Sequence, residues 1–150
     1  MARSGCCTMS PVWTTASGRA EFTVHKITAI ELKEGQYLMA TVRSHDQYNT
    51  TIYGLDDRYR GIGNQRMIIF LNPEDMKERG IKPVQKLKVT SHWDDRERHI
   101  EGLLAIPYEM PRGSAAAYFP EANVLIPIDS TADTSNTPTS KAVEISLEVM

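Results

Sequence analysis

The sequence predicts a mainly β domain that closes, or nearly closes, into a barrel and carries its function on loops at the rim. Short segments in which apolar and polar residues alternate recur along the chain, as half-buried strands require. One short segment has convincing helix signals, and long polar loops separate the strands. These observations are typical of a small β-barrel, although periodicity does not give the strand order.

The first two predicted strands frame the most polar loop of the chain. Residues 37–44 form the first strand, because Leu38, Ala40 and Val42 alternate with other residues. Residues 66–71 are a β-rich apolar run and form the second. The loop between them is dense in polar and aromatic side chains, so we interpret it as a ligand loop. Its donors and acceptors include Arg43, His45, Asp46, Gln47, Asn49, Arg58 and Arg60.

A short helix and a β-hairpin are predicted after the second strand. Asn72 is a good N-cap, Pro73 suits the first helical position, and Gly80 ends the helix after about two turns. Residues 86–91 then alternate strictly and residues 100–107 return as a long strand. We therefore predict an antiparallel hairpin.

The C-terminal part contains the remaining strands and a second polar loop. Residues 115–119 are a short ordered piece, residues 124–128 an apolar strand, and residues 143–149 a cleanly alternating strand. Residues 129–141 are too polar to be buried and too numerous for a simple hairpin loop. They are the second candidate ligand loop.

Length and charge exclude several classes of protein. The 150 residues allow one compact domain that buries roughly two-thirds of its unfolded surface. A formal net charge of −2 gives no general attraction to nucleic acid or to an anionic membrane. We therefore expect neither as a partner. Any anion site has to be a local cluster, and residues 58–66 are the candidate.

The N-terminal segment and the cysteines indicate a cytoplasmic protein. Residues 1–20 are small, polar and irregular, so we expect a disordered tail or linker there and a barrel domain at 21–150. Cys6 and Cys7 are adjacent, form no disulfide framework and fit a reducing compartment. No apolar run approaches membrane-spanning length, and the first residues lack the apolar stretch of a secretory signal.

Four blocks of residues carry a resemblance to a known family. They are Arg43-Ser-His-Asp-Gln-Tyr-Asn-Thr-Thr51 with its continuation to residue 62, Asn72-Pro-Glu-Asp75 with Gly80-Ile81, Ala117-Tyr-Phe-Pro-Glu-Ala-Asn-Val-Leu125, and Ser135-Asn-Thr-Pro-Thr-Ser-Lys141. In this order they resemble the C-terminal domain of formate-dehydrogenase-like molybdopterin oxidoreductases, most closely the formate dehydrogenase alpha subunits. The resemblance spans residues 17–150.

The resemblance implies a fold, a cofactor and a set of contacts. The domain would be a six-stranded double-psi β-barrel, related to the aspartate-decarboxylase-like barrels, that covers a molybdopterin guanine dinucleotide. One block would lie along the pterin and phosphates: Arg43, Ser44, His45, Asp46, Gln47, Asn49, Thr50 and Thr51. Tyr118 and Asn123 would close over the pterin edge, and Asn72 and Asp75 would lie near the nucleotide end. Ser135, Asn136, Thr139 and Lys141 would complete the pocket.

The chain departs from the family pattern in two ways. The family commonly continues Gly-Ile-x-x-Gly-Asp, whereas this chain reads Gly80-Ile-Lys-Pro-Val-Gln85, which lacks the turn glycine and its acidic neighbour. The iron-sulfur cysteine cluster and the domain that supplies the molybdenum ligand are also missing from these residues. We therefore expect no catalytic residue and no metal ligand in this chain, and no turnover by the chain alone. Its expected partners are the catalytic and iron-sulfur domains of a parent oxidoreductase. The chain itself would be an excised domain of that enzyme, a truncated product of its gene, or a small subunit that completes its cofactor site.

Other functions are weaker interpretations of the same residues. His45 and Asp46 resemble a hydrolytic dyad, but neighbours in an extended chain point to opposite faces and no activated nucleophile accompanies them. His92, Asp94, Asp95 and His99 occupy a hairpin turn rich in Arg and Glu, which favours a solvated turn over a metal site. Tyrosines interleaved with arginines over residues 48–66 would also suit a single-strand nucleic-acid module, against which the net charge argues.

Two alternatives stay open at this point. Gly113-Ser114 in a small double-psi barrel is similar to the self-cleavage site of aspartate decarboxylases, although the surrounding blocks fit the molybdopterin family better. The chain could also be a stand-alone nucleotide-binding or protein-interaction module that keeps the barrel without redox activity.

Overall fold

The structure is a computed structural model that describes residues 12–26, 29–49, 52–94 and 96–150. The chain divides into two compact units, Met1–Ile30 and Glu31–Met150. In the first unit, the described residues 12–26 and 29–30 contain a turn at residues 15–19 and no helix or strand. The expected tail over residues 1–20 lies partly outside the described residues, as do Cys6 and Cys7, and its disorder stays a prediction.

The second unit is a closed barrel of six strands. Its elements are β1 (Gln36–Val42), β2 (Ile68–Leu71), α1 (Pro73–Glu78), β3 (Lys86–Ser91), β4 (Arg98–Pro107), β5 (Ser114–Tyr118), a 3-10 turn (Glu121–Leu125) and β6 (Val143–Val149). The strands close in the order β1-β5-β2-β4-β3-β6, with β1–β5 and β2–β4 parallel. The predicted mainly β, six-stranded barrel is confirmed, and the two parallel pairs are consistent with a double-psi barrel.

One predicted strand is wrong. Residues 124–128 do not pair with another strand; Glu121–Leu125 forms a 3-10 turn instead. Ala122 and Leu125, three residues apart, are its buried side chains, and that spacing is the period of a 3-10 helix. Ile128 is 84% exposed, so the apolar run from residue 124 is not a core strand.

The helix has the ends that the sequence predicts. The side chain of Asn72 accepts hydrogen bonds from the backbone N–H groups of Glu74 and Asp75, and Pro73 occupies the first turn. Gly80 follows the helix with a φ of +66°, which suits glycine. At six residues α1 is short, and no helix in the described part of the chain is long and apolar enough to cross a membrane.

Strand pairing defines two ends of the barrel. Val42 pairs with Tyr118 and Ile69 with Ala117, so β1 and β5 finish where β2 begins. We call this the loop end, because the connections 43–67 and 119–142 leave the barrel there. The other end, which we call the helix end, carries α1 and the connection 108–113. A ligand that needs both predicted loops has to bind at the loop end.

Side chains fill the barrel interior, and a second apolar cluster lies outside it. Met39, Ile69, Leu87 and Ile145 are fully buried members of the inner cluster. Ile68 and Phe70 alternate with Ile69 and belong to the second cluster, together with Ile62 and Tyr118. Because Ile62 comes from the connection 43–67, that connection folds back over the outer face of β2 and β5.

A buried carboxylate anchors this connection. Asp57 is 1% exposed, accepts a hydrogen bond from the Tyr118 hydroxyl at 2.8 Å and forms an ion pair with Arg60 at 2.5 Å. Burial alone would raise the pKa of Asp57, but the hydrogen bonds from Arg60 and Tyr118 outweigh it and hold the pKa below its usual range. Burial and the neighbouring carboxylate raise the pKa of Tyr118. Arg60 also donates to the Arg43 carbonyl oxygen at 3.1 Å, which links the anchor to the end of β1.

The turn before β3 has a left-handed residue at the position where the family pattern has glycine. Val84 stands where glycine is expected and has a φ of +63°, in the left-handed region that a β-branched residue rarely adopts. Gln85 accepts a hydrogen bond from the Lys82 N–H at 2.9 Å through its side-chain oxygen. Val84 is 60% exposed and therefore gains little from burial.

Val84→Gly should stabilise the protein. Relief of left-handed strain, about 1–2 kcal/mol, exceeds the added chain entropy of glycine, about 0.5–1 kcal/mol. We expect the free energy of unfolding to rise by about 1 kcal/mol in urea titration. Val84→Asn should also stabilise, whereas Val124→Gly, in the 3-10 turn, should not. A loss of stability in Val84→Gly would show that the turn is not strained.

Asp57→Asn should destabilise the protein in a pH-dependent way. We expect a loss of about 2 kcal/mol at pH 7, because a charge-assisted bond to Arg60 is removed. The folded-state pKa of Asp57 is depressed. The carboxylate therefore contributes its full share of the free energy of unfolding above the unfolded pKa of about 3.9, and this contribution disappears as the pH falls through the folded-state pKa. Urea unfolding between pH 7 and pH 3 should show the gap to the wild type narrowing below about pH 4.

Asp56→Asn is the matched control for this measurement. Asp56 is an exposed neighbour whose side chain accepts a hydrogen bond from the Asn64 N–H at 2.9 Å, a role that an amide oxygen can keep. Equal stability of the Asp57 variant and the wild type at pH 7 would contradict the anchor.

Candidate functional site

The loop end contains a mostly apolar depression of about 600 Å³. Its walls come from the end of β5, the segment around the 3-10 turn and the end of the polar loop. The lining residues are Phe119, Asn123, Ile126, Pro127, Ile128, Thr137, Pro138 and Ser140. We call this depression the slot. Its size is within the range of about 300–1,000 Å³ typical of small-molecule sites.

A smaller depression of about 190 Å³ adjoins the slot. Phe119 and Ser140 line both, so the two lie side by side. Its other lining residues are Thr41, Val42, Arg43 and Lys141. We call it the cationic recess, and the slot and recess together the rim site.

Parallel pairing of β1 and β5 brings the parts of the rim site together. Since Val42 is aligned with Tyr118, the residues that follow these strands are neighbours, and the Phe119 N–H donates to the Val42 carbonyl at 2.9 Å. The polar loop returns alongside β1, where the Thr41 N–H donates to the Ser140 carbonyl at 2.9 Å. Three separate segments thus meet at one rim.

The recess contains positive charge that no carboxylate of the described residues neutralises. Arg43 is exposed and donates to the Asn49 side-chain oxygen at 3.3 Å, and the Lys141 ammonium donates to the Thr41 carbonyl. Both of these acceptors are neutral. Within the described part of the chain, neither cation has a carboxylate partner. The recess is therefore suited to an anion such as phosphate.

The arginines of residues 58–66 do not form the expected anion cluster. Arg60 is paired with Asp57, and Arg66 is paired with Glu121 at 2.6 Å. The Arg66 side chain is 5% exposed. Because charge must be paired when it is buried, these arginines serve the protein's own carboxylates.

Two predicted ligand residues, Ser44 and Gln47, form hydrogen bonds within the protein. Ser44 is 7% exposed and its hydroxyl accepts from Arg66 at 2.7 Å. The Gln47 amide nitrogen donates to the Phe119 carbonyl at 2.7 Å and to the Asn49 carbonyl at 2.8 Å. Both side chains therefore hold the segment after β1 in place beside the rim site.

His45 has a buried nitrogen that is not hydrogen-bonded. Its Nε2 lies 3.1 Å from an Asp46 carboxylate oxygen, but this contact lacks hydrogen-bond geometry, and Nε2 has no other partner among the described residues. Asp46 has a φ of +60°, so the backbone is not extended here and the side chains of His45 and Asp46 lie close together. The ring also packs edge-on against Tyr59 at 4.1 Å between centroids.

The other predicted contacts at the loop end differ in position. Asn123 is exposed and lines the slot. Tyr118 is 1% exposed, and its hydroxyl donates a hydrogen bond to Asp57. Thr139 donates to the Ser130 carbonyl at 3.0 Å. Ser135 and Asn136 are exposed in the loop closed by the bridge between Thr131 and Pro138, and they do not line the slot.

Asn72 and Asp75 lie at the helix end, away from the other predicted contacts. Besides capping α1, Asn72 donates to the Met110 carbonyl at 2.6 Å. Asp75 accepts from Arg112 at 2.8 Å and from the Gly113 N–H at 2.7 Å. Both side chains thus tie α1 to the connection before β5. Thr50 and Thr51 lie outside the described residues.

Sequence reasoning missed the apolar walls of the slot. Phe119, Ile126 and Pro127 were interpreted as parts of an ordered piece or a strand. The available signal was the pair of prolines at 120 and 127, which interrupt strand pairing on both sides of the 3-10 turn.

Known proteins are similar to most of this chain. An uncharacterized oxidoreductase of Mycobacterium tuberculosis is 45% identical over 139 residues, which cover 89% of this chain and 18% of that protein. Protein YdeP of Escherichia coli K12 is 36% identical over 142 residues, which cover 91% of this chain and 19% of that protein. The chain thus spans about a fifth of the length of these curated relatives.

The family comparison covers the barrel itself. The molydopterin dinucleotide binding domain family matches residues 37–144, from β1 to the start of β6. This range contains every residue that lines the slot and the recess. Because the match covers well over half of the chain, the protein belongs to the molydopterin dinucleotide binding domain family.

Proposed function

We propose that the rim site binds molybdopterin guanine dinucleotide as part of a larger, cytoplasmic, molybdenum-dependent oxidoreductase of the formate-dehydrogenase-like type. The observation that carries the proposal is the position of an apolar slot directly beside a recess whose two cations have no described carboxylate partner. A dinucleotide cofactor has the same two parts, planar heterocycles and phosphates.

The residues of the rim site suit this cofactor chemically. Apolar side chains at Phe119, Ile126 and Pro127 can pack against a planar ring. The Asn123 amide can both donate to and accept from a ring edge. Arg43 and Lys141 supply charge-assisted bonds to phosphate oxygens.

The chain's own contribution is binding and orientation. When bound, the cofactor supplies the redox chemistry through its molybdenum centre, while the protein holds the pterin and tunes it. Among the described residues, no group of three or more His, Cys, Asp or Glu side chains could hold a metal ion. We propose that another domain of the parent enzyme holds the molybdenum and provides the iron-sulfur cluster.

The lengths of the relatives support a larger enzyme. This chain corresponds to 18–19% of each relative, and one of them is named an oxidoreductase. The rim site is an open depression, so it can cover one side of a cofactor while other domains cover the rest. The proposal that the parent enzyme acts on formate is supported by the sequence resemblance alone.

Arg43→Ala and Asn123→Ala should weaken ligand binding more than folding. Both side chains are exposed, so stability should change by at most about 0.5 kcal/mol. Losing the charge-assisted hydrogen bond from Arg43, or the hydrogen bond between the Asn123 side-chain amide and a ring edge, should lower the ligand affinity about ten- to a hundredfold. The measurement is calorimetric titration with GDP, which has the guanine and pyrophosphate of the cofactor, together with molybdopterin content after purification from cofactor-producing cells.

Arg58→Ala is the matched control, since Arg58 is an exposed arginine of the same connection that lines neither depression. It should retain wild-type affinity. Unchanged GDP affinity and cofactor content in both site variants would reject the rim site. Purified protein that binds GDP but never contains molybdopterin would instead favour a stand-alone nucleotide-binding module.

A further inference from the structure

Arg66 is the most highly connected buried side chain near the rim site. It donates twice to the Glu121 carboxylate, at 2.6 and 3.0 Å. It also donates to the Ser44 hydroxyl at 2.7 Å, the Phe119 carbonyl at 2.8 Å and the Gln47 side-chain oxygen at 3.2 Å. Its guanidinium carbon lies 4.0 Å from the centre of the Tyr53 ring.

These partners belong to the segments that build the rim site. Ser44 and Gln47 follow Arg43 after β1, Phe119 follows β5, and Glu121 begins the 3-10 turn that carries Asn123. Arg66 itself lines neither depression. A single guanidinium therefore connects the recess side of the site to the slot side without occupying either.

The geometry of arginine accounts for this arrangement. A guanidinium has five N–H donors in a rigid planar fork, so it can bond several fixed acceptors at once. A lysine ammonium is a point charge on a flexible stem and would not hold the same acceptors in the same directions. Because a buried ion pair costs desolvation, its net contribution to folding can be small even when its effect on local geometry is large.

We propose that Arg66 is the positioning residue of the rim site. Its bonds to the segments 44–49 and 119–125 hold Arg43 and Asn123 at a fixed separation before any ligand is present. A ligand then binds without having to order these segments, which raises its affinity. The identity of the ligand rests on the proposed function, whereas the ordering of the two segments does not.

The test uses the whole chain and two kinds of substitution. Arg66→Met with Glu121→Leu removes both charges, so that no unpaired charge is left buried and the barrel can still fold. Arg66→Lys keeps the positive charge opposite Glu121 but loses the planar set of N–H donors of the guanidinium. Arg112→Lys is the matched control, because Arg112 bonds Asp75 and Glu78 at the helix end.

Amide hydrogen exchange of the ligand-free protein gives the first readout. In both Arg66 variants, exchange over residues 44–49 and 121–126 should accelerate about tenfold or more, while β3 keeps its wild-type protection. A role confined to global stability would accelerate β3 as well. The Arg112 control should leave both segments unchanged.

GDP affinity gives the second readout. Both Arg66 variants should bind GDP about ten- to a hundredfold more weakly than the wild type, although neither changes a residue that lines the site. Unchanged exchange over residues 44–49 and 121–126 would overturn the proposal, and so would faster exchange with undiminished affinity. If the wild type binds no GDP, the rim site fails as a nucleotide site, and the exchange data alone decide whether Arg66 orders the segments.

Discussion

The parallel pairing of β1 with β5 is the constraint on which the site depends. Because Val42 is in register with Tyr118, both strands end at the same rim, and Arg43 and Phe119 leave the barrel side by side. β2 then begins at this rim, which brings Arg66 beneath the segments that follow β1 and β5. A slip of one residue in this register would move every barrel-facing side chain of one strand to the other face. The apolar interior and the rim site are therefore specified by the same pairing.

The polar residues of the loop end divide into two groups by burial. The buried Asp57 pairs with the half-buried Arg60, and the buried Arg66 pairs with the half-buried Glu121, because a buried charge without a partner would cost on the order of several kcal/mol. Arg43, Lys141 and Asn123 line the open depressions and have no such partner among the described residues. The buried group gives the connections their shape, and the exposed group is available to a ligand. The side chains that hold the connections and those that are open to a ligand are therefore different residues of the same loops.

The strands that alternate strictly and the capped helix could be predicted, because both signals are local: β3, β6 and the cap at Asn72 depend on near neighbours in sequence. The 3-10 turn could not, since Val124 and Leu125 read equally well as a strand until pairing partners are known. Strand order is not local either: the resemblance grouped Asn72 and Asp75 with the other ligand residues, and only the strand order shows that they lie at the opposite end of the barrel. Arg66 and Glu121 are 55 residues apart, so composition alone made Arg66 a ligand candidate and concealed its partner.

The most direct test of the account is to map the GDP-binding surface on the isolated chain by amide chemical shifts. We expect the shifts to change at the loop end, over residues 41–43, 119–128 and 137–141, with no change around α1 and residues 108–113 at the helix end. Shift changes centred on Asp75 and Arg112 would contradict the rim site and would place the ligand at the opposite end of the barrel.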